Sequence, residues 1–426
     1  MNKKIINLFF IFCAALTIFS SDLTGDLVFN LDINKAVELG IKNNVAVVNN
    51  KLELNDRILE IATSFNEFVP TGSVGFSLGS GYSDKTQTFS SPSLGMSLNS
   101  SLSLTAKSIF NIVQSVNDYN RGKISLLDAK LQLVKNIKKS YYNQVLANEE
   151  INLKEIEVEN AKFLYEVSRV QLANNVISEI DGLKKEYSYK SLLLGYDEAN
   201  LNLKKNEEIF KQLIGINDYQ KIILTSYLSD INAPDIEKIS FDLDENLSVK
   251  TLYEDLKKAI NNRAAYISQF VPTLNLGYSF SGSGDLQGGD FDTSHSLRFS
   301  LGLQLDNLSP FSRLQTNIIK EQNNIKRIEN NIKNQKETKI LELKNILITL
   351  KELQKKSNIQ KLNVELAEKT YNMTLRLYNS GNSNYNDLQE AKKNDFDSKL
   401  KLLNVKYEYL SNMFDLEYVL NKELIK

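Results

Sequence analysis

The chain is poor in the residues that build most reactive centres. Of its 426 residues, one is cysteine, one is histidine and none is tryptophan. A single cysteine excludes an intrachain disulfide framework and any multi-thiolate zinc site. A single histidine excludes most His-based metal centres and leaves a His-dependent triad without support. Neither charge is in excess: Lys+Arg number 51 and Asp+Glu 52, so the balance is 51 − 52 = −1. Nucleic-acid binders carry a basic surplus or a basic face, so no nucleic-acid partner is expected. No cofactor or metal is expected either, and the chain reads as a non-enzyme. After the first residues, no stretch reaches 18 consecutive apolar residues, which excludes a membrane-spanning helix there. What is present is 42% hydrophobic, enough to bury surface rather than stay disordered. At roughly 150 residues per domain, the length suggests two or three ordinary domains.

The N-terminus reads as a leader. Met1-Asn2-Lys3-Lys4 is basic, Ile5 to Phe19 is an almost unbroken apolar run, and Ser20-Ser21 offer small residues for cleavage. That is the plan of a secretory signal peptide over residues 1–21, and about fifteen apolar residues is short for a span. An uncleaved anchor is the alternative. Lipidation at Cys13 is a second alternative, weakened by the bulky Phe12 before it. Cleavage near Ser21 would remove Lys3, Lys4 and Cys13, leaving 49 − 52 = −3 and no cysteine, which suits an oxidising compartment.

The rest repeats itself. Phe68-Val69-Pro70-Thr71 recurs as Phe270-Val271-Pro272-Thr273, a shift of 270 − 68 = 202. A Gly-aromatic-Ser triplet recurs at the same shift. Pro70 and Pro272 each open a strand-like stretch, where a missing N–H is tolerated. After each proline the hydrophobic period is two: Val74, Phe76, Leu78, then Leu94, Met96, Leu98, Leu102, Leu104 in the first half. In the second half Leu274, Leu276, Tyr278, Phe280 alternate, and then Leu297, Phe299, Leu301, Leu303, Leu305. These predict four strands, at about 71–82, 93–105, 273–281 and 295–305. Their other faces are small and neutral apart from Arg298, unlike the Lys/Glu-rich faces of soluble sheets and like the lumen side of a membrane barrel. Four strands cannot close a barrel, since about eight is the working minimum. A membrane barrel built from them must therefore use several chains.

Helix fills the remainder. Long helices are predicted at about 107–174 and 311–380, each a rod on the order of 100 Å, with returning helices at about 179–214 and 384–425. Apolar spacing of three and four, as in Ile325, Ile328, Ile332 and in Ile346, Leu350, Leu353, makes a seam for a neighbouring helix. Further helices precede each proline, at about 32–67 and 248–268. The first repeat then spans 22–215 and the second 248–426, joined by an irregular segment over 216–247 that contains Pro234. Gly282-Ser283-Gly284 with Gly288-Gly289 reads as a flexible loop, because no helix follows it as a phosphate loop requires. His295 reads as an exposed loop-end residue.

The order of helix, proline-led hairpin, long helix, turn and returning helix, given twice behind a leader, resembles the TolC-like outer-membrane efflux (outer-membrane factor) family. Leu31-Asp32-Ile33-Asn34-Lys35-Ala36 through Lys42-Asn43-Asn44 resembles the family's first-helix pattern. Tyr378-Asn379-Ser380-Gly381 followed by Asp387-Leu388-Gln389-Glu390-Ala391 is similar to its Tyr-x-x-Gly turn and acidic aperture helix. The resemblance covers the mature chain and implies a mainly helical protein with a transmembrane β-barrel. Three chains would give four strands each to a 12-stranded barrel, seated on a long periplasmic α-helical barrel.

It further implies an outer-membrane channel extending into the periplasm, the exit duct of a tripartite multidrug efflux or type I secretion system. Its partners would be two further copies, outer-membrane lipid, a periplasmic adaptor and an inner-membrane transporter, with no cofactor. Asp387 and Glu390, three apart on one helix face, would form acidic rings at the aperture; an Asp/Glu pair on a helix is otherwise ordinary solvated surface. Tyr378 and Asp181 match gate-network positions, although plain interhelical packing accounts for Tyr378 as well. Ser383 stands where a basic gate residue is expected. Adaptor-facing turns would be Asn175, Val176, Ile177 and Ser178, and Gly381, Asn382 and Ser383. Either Asn174 or Asn175 could take the left-handed turn conformation that Gly381 supplies in the second repeat. The alternative is a coiled-coil structural or adhesive cell-surface protein, with the strands in an ordinary globular head.

Overall fold

The computed structural model describes residues 29–90, 92–216, 222–228, 241–285 and 291–424. The expected leader with Cys13, Pro234 and Gly288-Gly289 lie outside the described residues. In order, the chain forms β1 (Phe29–Leu31), α1 (Ile33–Asn43), α2 (Val45–Ser64), β2 (Thr71–Gly79), β3 (Tyr82–Ser83), β4 (Thr88–Phe89), β5 (Ser93–Leu104), α3 (Ala106–Ala173) and α4 (Glu179–Ile214). Then follow β6 (Ile222–Leu224), α5 (Leu247–Ile267), β7 (Thr273–Asp285), β8 (Asp292–Gly302), α6 (Arg313–Asn379) and α7 (Tyr385–Leu420).

Helices α3 and α6, of 68 and 67 residues, are long because nothing in their sequences stops them. Each starts on a side-chain cap: Thr105 Oγ1 accepts from Ser108 N at 3.2 Å, and Ser312 Oγ accepts from Gln315 N at 3.2 Å. The lone glycine in α3, Gly122, is where α2 comes close; a Cβ there would lie 3.2 Å from Leu54 Cδ1. Residues 32–67 form two helices rather than one. Asn44 breaks them with extended backbone, and its Oδ1 accepts from Ala46 N at 3.0 Å to cap α2 while its Nδ2 donates to Leu213 O.

The four long strands form one antiparallel sheet in the order β2-β5-β7-β8. Register decides its character. Val74, Phe76 and Leu78 stand opposite Leu98, Met96 and Leu94, and Leu98 stands opposite Phe280. Leu274, Leu276 and Tyr278 in turn face Leu301, Phe299 and Leu297. Because side chains alternate along a strand, this pairing gathers the apolar residues of all four strands on one face. Ser73, Ser97, Asn99, Ser279, Ser296 and Arg298 share the other. The apolar face is uncovered: Phe76 is 72% exposed and Leu297 84%. Among the described residues, β2 and β8 each pair on one side only, so the sheet has two open edges. No helix among the described residues is long and apolar enough to cross a membrane.

Strand ends differ from the sequence expectation where pairing, not alternation, sets them. The first strand stops at Gly79, and Tyr82–Ser83 joins Thr88–Phe89 in a separate small hairpin with the Tyr82 and Phe89 rings 5.0 Å apart. β7 runs on to Asp285 because β5 and β8 flank it on both sides. β8 occupies 292–302 instead of about 295–305; Gly302 pairs with Thr273, the first residue of β7, so Leu303 and Leu305 have no partner. His295 is therefore inside a strand rather than at a loop end, its Nδ1 3.0 Å from Tyr278 Oη and its ring 5.0 Å from that of Phe280. Gly282 also lies in β7, where a Cβ would meet the Phe291 ring at 2.5 Å.

The buried core falls into two clusters, one in each repeat, with Leu403, Tyr407 and Leu410 of α7 packed against the first. Leu31, Ala36, Val47, Ile137, Tyr141, Phe210 and Ile214 pack as one cluster, and Leu350, Val405, Tyr409, Met413 and Leu416 as another. Tyr141, fully buried, donates its hydroxyl to Leu31 O at 2.9 Å, and Ser226 N donates to that hydroxyl at 3.2 Å. The stretch 216–247 is thus not wholly irregular: Ile222–Leu224 pairs in parallel with Phe29–Leu31. Helix α4 ends at Gly215 with φ of +68°, against Asn43. A Cβ there would sit 2.6 Å from Asn43 Cβ and 3.1 Å from its carbonyl oxygen. Gly215→Ala is expected to cost about 1–2 kcal/mol from the left-handed backbone alone, with the contact adding to it. A lower unfolding midpoint in denaturant checks this; an unchanged midpoint would show that the turn can relax.

The helix tips as candidate functional site

At the end of the long helices far from the sheet, both repeats turn in the same way. After α3, Asn175 takes φ of +58°, Asn175 N donates to Leu172 O at 3.0 Å and Val176 N to Gln171 O at 2.8 Å. After α6, Gly381 takes φ of +76°, Gly381 N donates to Tyr378 O at 3.0 Å and Asn382 N to Leu377 O at 2.8 Å. These are matching left-handed helix ends, one on Asn and one on Gly. Asn174 keeps a negative φ of −93° and is the helix cap.

The returning helices start alike too. Ser178 caps α4, its Oγ accepting from Asp181 N at 3.2 Å and donating to Asp181 Oδ2 at 2.6 Å. Asn384 caps α7, its Oδ1 accepting from Asp387 N at 2.9 Å, while Ser383 Oγ donates to Asp387 Oδ2 at 3.2 Å. Asp181 and Asp387 are therefore equivalent, 387 − 181 = 206 apart, the same offset as Gly381 from Asn175. Both carboxylates sit on the third residue of a helix, where the dipole favours negative charge.

One turn further on, the repeats diverge. Lys184 follows Asp181, with its Nζ 3.9 Å from Asp181 Oδ1, both exposed. Glu390 follows Asp387 and is exposed like it. The first repeat thus presents a compensated pair and the second an uncompensated acidic one.

Tyr378, Asp181 and Ser383 do not form a network within one chain. Asp181 is held by Ser178 and Lys184, Ser383 binds Asp387, and the Tyr378 ring lies 6.4 Å from that of Tyr385. Burial, with Tyr378 nearby as a smaller cause, pushes the Tyr385 hydroxyl above the usual tyrosine range. Lys185 Nζ sits 4.6 Å over the Tyr385 ring and links the two hairpins. Lys185 carried no signal in the sequence, because its partner lies 200 residues away on another helix. The turn residues Asn175, Val176, Ile177, Gly381 and Asn382 are uncharged, and Val176 is exposed.

Residues 242–422 match the family model for outer membrane efflux proteins. The chain has the fold of solved outer-membrane channels. The CmeC outer membrane channel of Campylobacter jejuni superposes with a TM-score of 0.77 at 18% identity, over 94% of this chain and 90% of that one. A CusC structure gives 0.77 at 15% identity over 96% of both chains. The open MtrE outer membrane channel of Neisseria gonorrhoeae gives 0.75 at 15% identity, over 95% and 94%. No curated protein matches the chain in sequence. The likeness is one of fold, and it extends over both repeats.

Proposed function

We propose that three copies of this chain form an outer-membrane efflux duct. The carrying observation is the sheet: its apolar residues share one uncovered face, and among the described residues its two outer edges are unpaired. Lipid is the environment that suits such a face, and closure is what removes such edges there. Four strands from each of three chains give twelve, with the serine-rich face turned to the lumen. The long helices then continue the wall across the periplasm for about 100 Å. The duct works with a periplasmic adaptor meeting the uncharged turns and an inner-membrane transporter, and it carries drugs or polypeptides outward. Light scattering in detergent is expected to give the mass of three chains; a monomer soluble without detergent would overturn the proposal and favour a surface protein with a globular head.

The narrow end is placed at the tips. In a trimer Asp387 and Glu390 become two rings of three carboxylates, which favour cations and repel anions. Tyr378, Asp181 and Ser383 are proposed to act in holding that end closed through contacts between chains. Asp387→Asn with Glu390→Gln is expected to move the reversal potential in a salt gradient toward zero. An unchanged potential would show that these carboxylates serve only as helix caps and surface.

A further inference from the structure

The two helical hairpins of one chain leave a cavity of about 480 Å³ between them, just above the tips. Its walls come from α3, α6 and α7, with Lys185 of α4 at its edge and apolar surface from Phe163, Val167, Tyr371 and Leu375. Its volume lies in the range that ordinary ligand pockets occupy. Two donors on α7, Gln389 and Lys392, line the same space three residues apart and so share one helix face. Gln389 Nε2 is buried and has no hydrogen-bond partner. Among the described residues, Lys392 makes no hydrogen bond or ion pair, and Glu157 of α3 acts on it only as a nearby opposite charge. Burial pushes the Lys392 ammonium below its ordinary range despite Glu157, and burial pushes the Glu157 carboxyl up. A buried donor without an acceptor is costly, and a half-buried ammonium more so. Among the described residues, the cavity thus combines apolar walls with two N–H donors that make no hydrogen bond.

We propose that this cavity binds an amphiphilic monocarboxylate, its apolar chain among Phe163, Val167, Tyr371 and Leu375 and its carboxylate on Lys392 Nζ and Gln389 Nε2. Both hairpins contribute to the site, so the ligand bridges them. The site lies within one chain and stands whether or not the chain forms a duct.

The test is equilibrium dialysis of radiolabelled decanoate against the full-length protein in phosphatidylcholine nanodiscs, with empty discs as the blank. Saturable binding of one decanoate per chain is expected, displaced by unlabelled decanoate but not by decanol or decyltrimethylammonium. Lys392→Gln is expected to weaken it about tenfold or more, as loss of a charge-assisted hydrogen bond does. Leu375→Trp should abolish it by filling the cavity, and Lys393→Gln, on an exposed neighbour, should leave it unchanged. Glu157→Gln should tighten it, because the competing carboxylate is gone; a merely structural role for these residues gives no such gain. No binding above the blank, equal displacement by decanol, or undiminished binding by Lys392→Gln would each overturn the proposal. If Lys392→Gln fails to fold, Gln389→Leu and Glu157→Gln decide the matter, with weaker and tighter binding expected in turn.

Discussion

Lys138→Met is expected to destabilise the protein by about 3–5 kcal/mol, the usual loss when one partner of a buried ion pair is removed. Lys138 Nζ on α3 lies 2.9 Å from Glu417 Oε2 on α7, with side chains only 10% and 9% exposed. The same ammonium reaches Glu423 Oε1 at 3.2 Å and lies 5.5 Å over the Phe414 ring. Glu417 Oε1 accepts from Leu424 N at 2.8 Å, so the pair also ties down the residues after α7. Taking away the ammonium removes the partner 2.9 Å from the Glu417 carboxylate while that carboxylate stays buried. The companion variant Lys138→Met with Glu417→Leu should recover most of the loss, since apolar replacement of both partners is often neutral. Unfolding midpoints for the two singles and the double measure the coupling directly. If the singles and the double lose equal, small amounts, the pair contributes nothing specific to stability.

Phe76→Arg is expected to cost about 2–4 kcal/mol of folding into bilayers, the price of a basic side chain on the lipid face near mid-depth. Phe76 is close to the centre of β2, opposite Met96, on the uncovered apolar face. Ser73→Arg, on the opposite face of the same strand, should cost far less, because the proposed duct turns that face to the lumen. Urea titration of protein folded into liposomes reports both. Equal effects from the two variants would mean that the faces do not differ in environment, and the lipid assignment would fail.

Much of this architecture was legible because it is local and repeated. The alternation of Val74-Phe76-Leu78 with glycine and serine announces a strand with a small polar face, and the absence of proline and of nearly all glycine announces the long helices. The tip caps are also within reach of the sequence: Ser178 and Asp181 have capping-box spacing, with Asp in place of the usual Glu or Gln, beside the turn and gate roles the resemblance implies for them. What could not be read is whatever depends on distant parts of the chain. Strands β1 and β6 are three residues each and pair across some 190 positions, so no pattern marks either one. Lys138 and Glu417 are 279 residues apart, and each looks like ordinary helix surface in its own segment. Gln389 and Lys392 likewise show nothing unusual until α3 and α6 enclose them. Strand ends erred for a related reason: alternation at Leu303 and Leu305 continues past the point where β7 can supply a partner.

Single-channel current from purified protein in a planar bilayer tests the central claim most directly. The duct account predicts insertion of a trimer that gives stable pores of one uniform conductance and a reversal potential favouring cations. Protein that remains soluble without detergent and never inserts would contradict it.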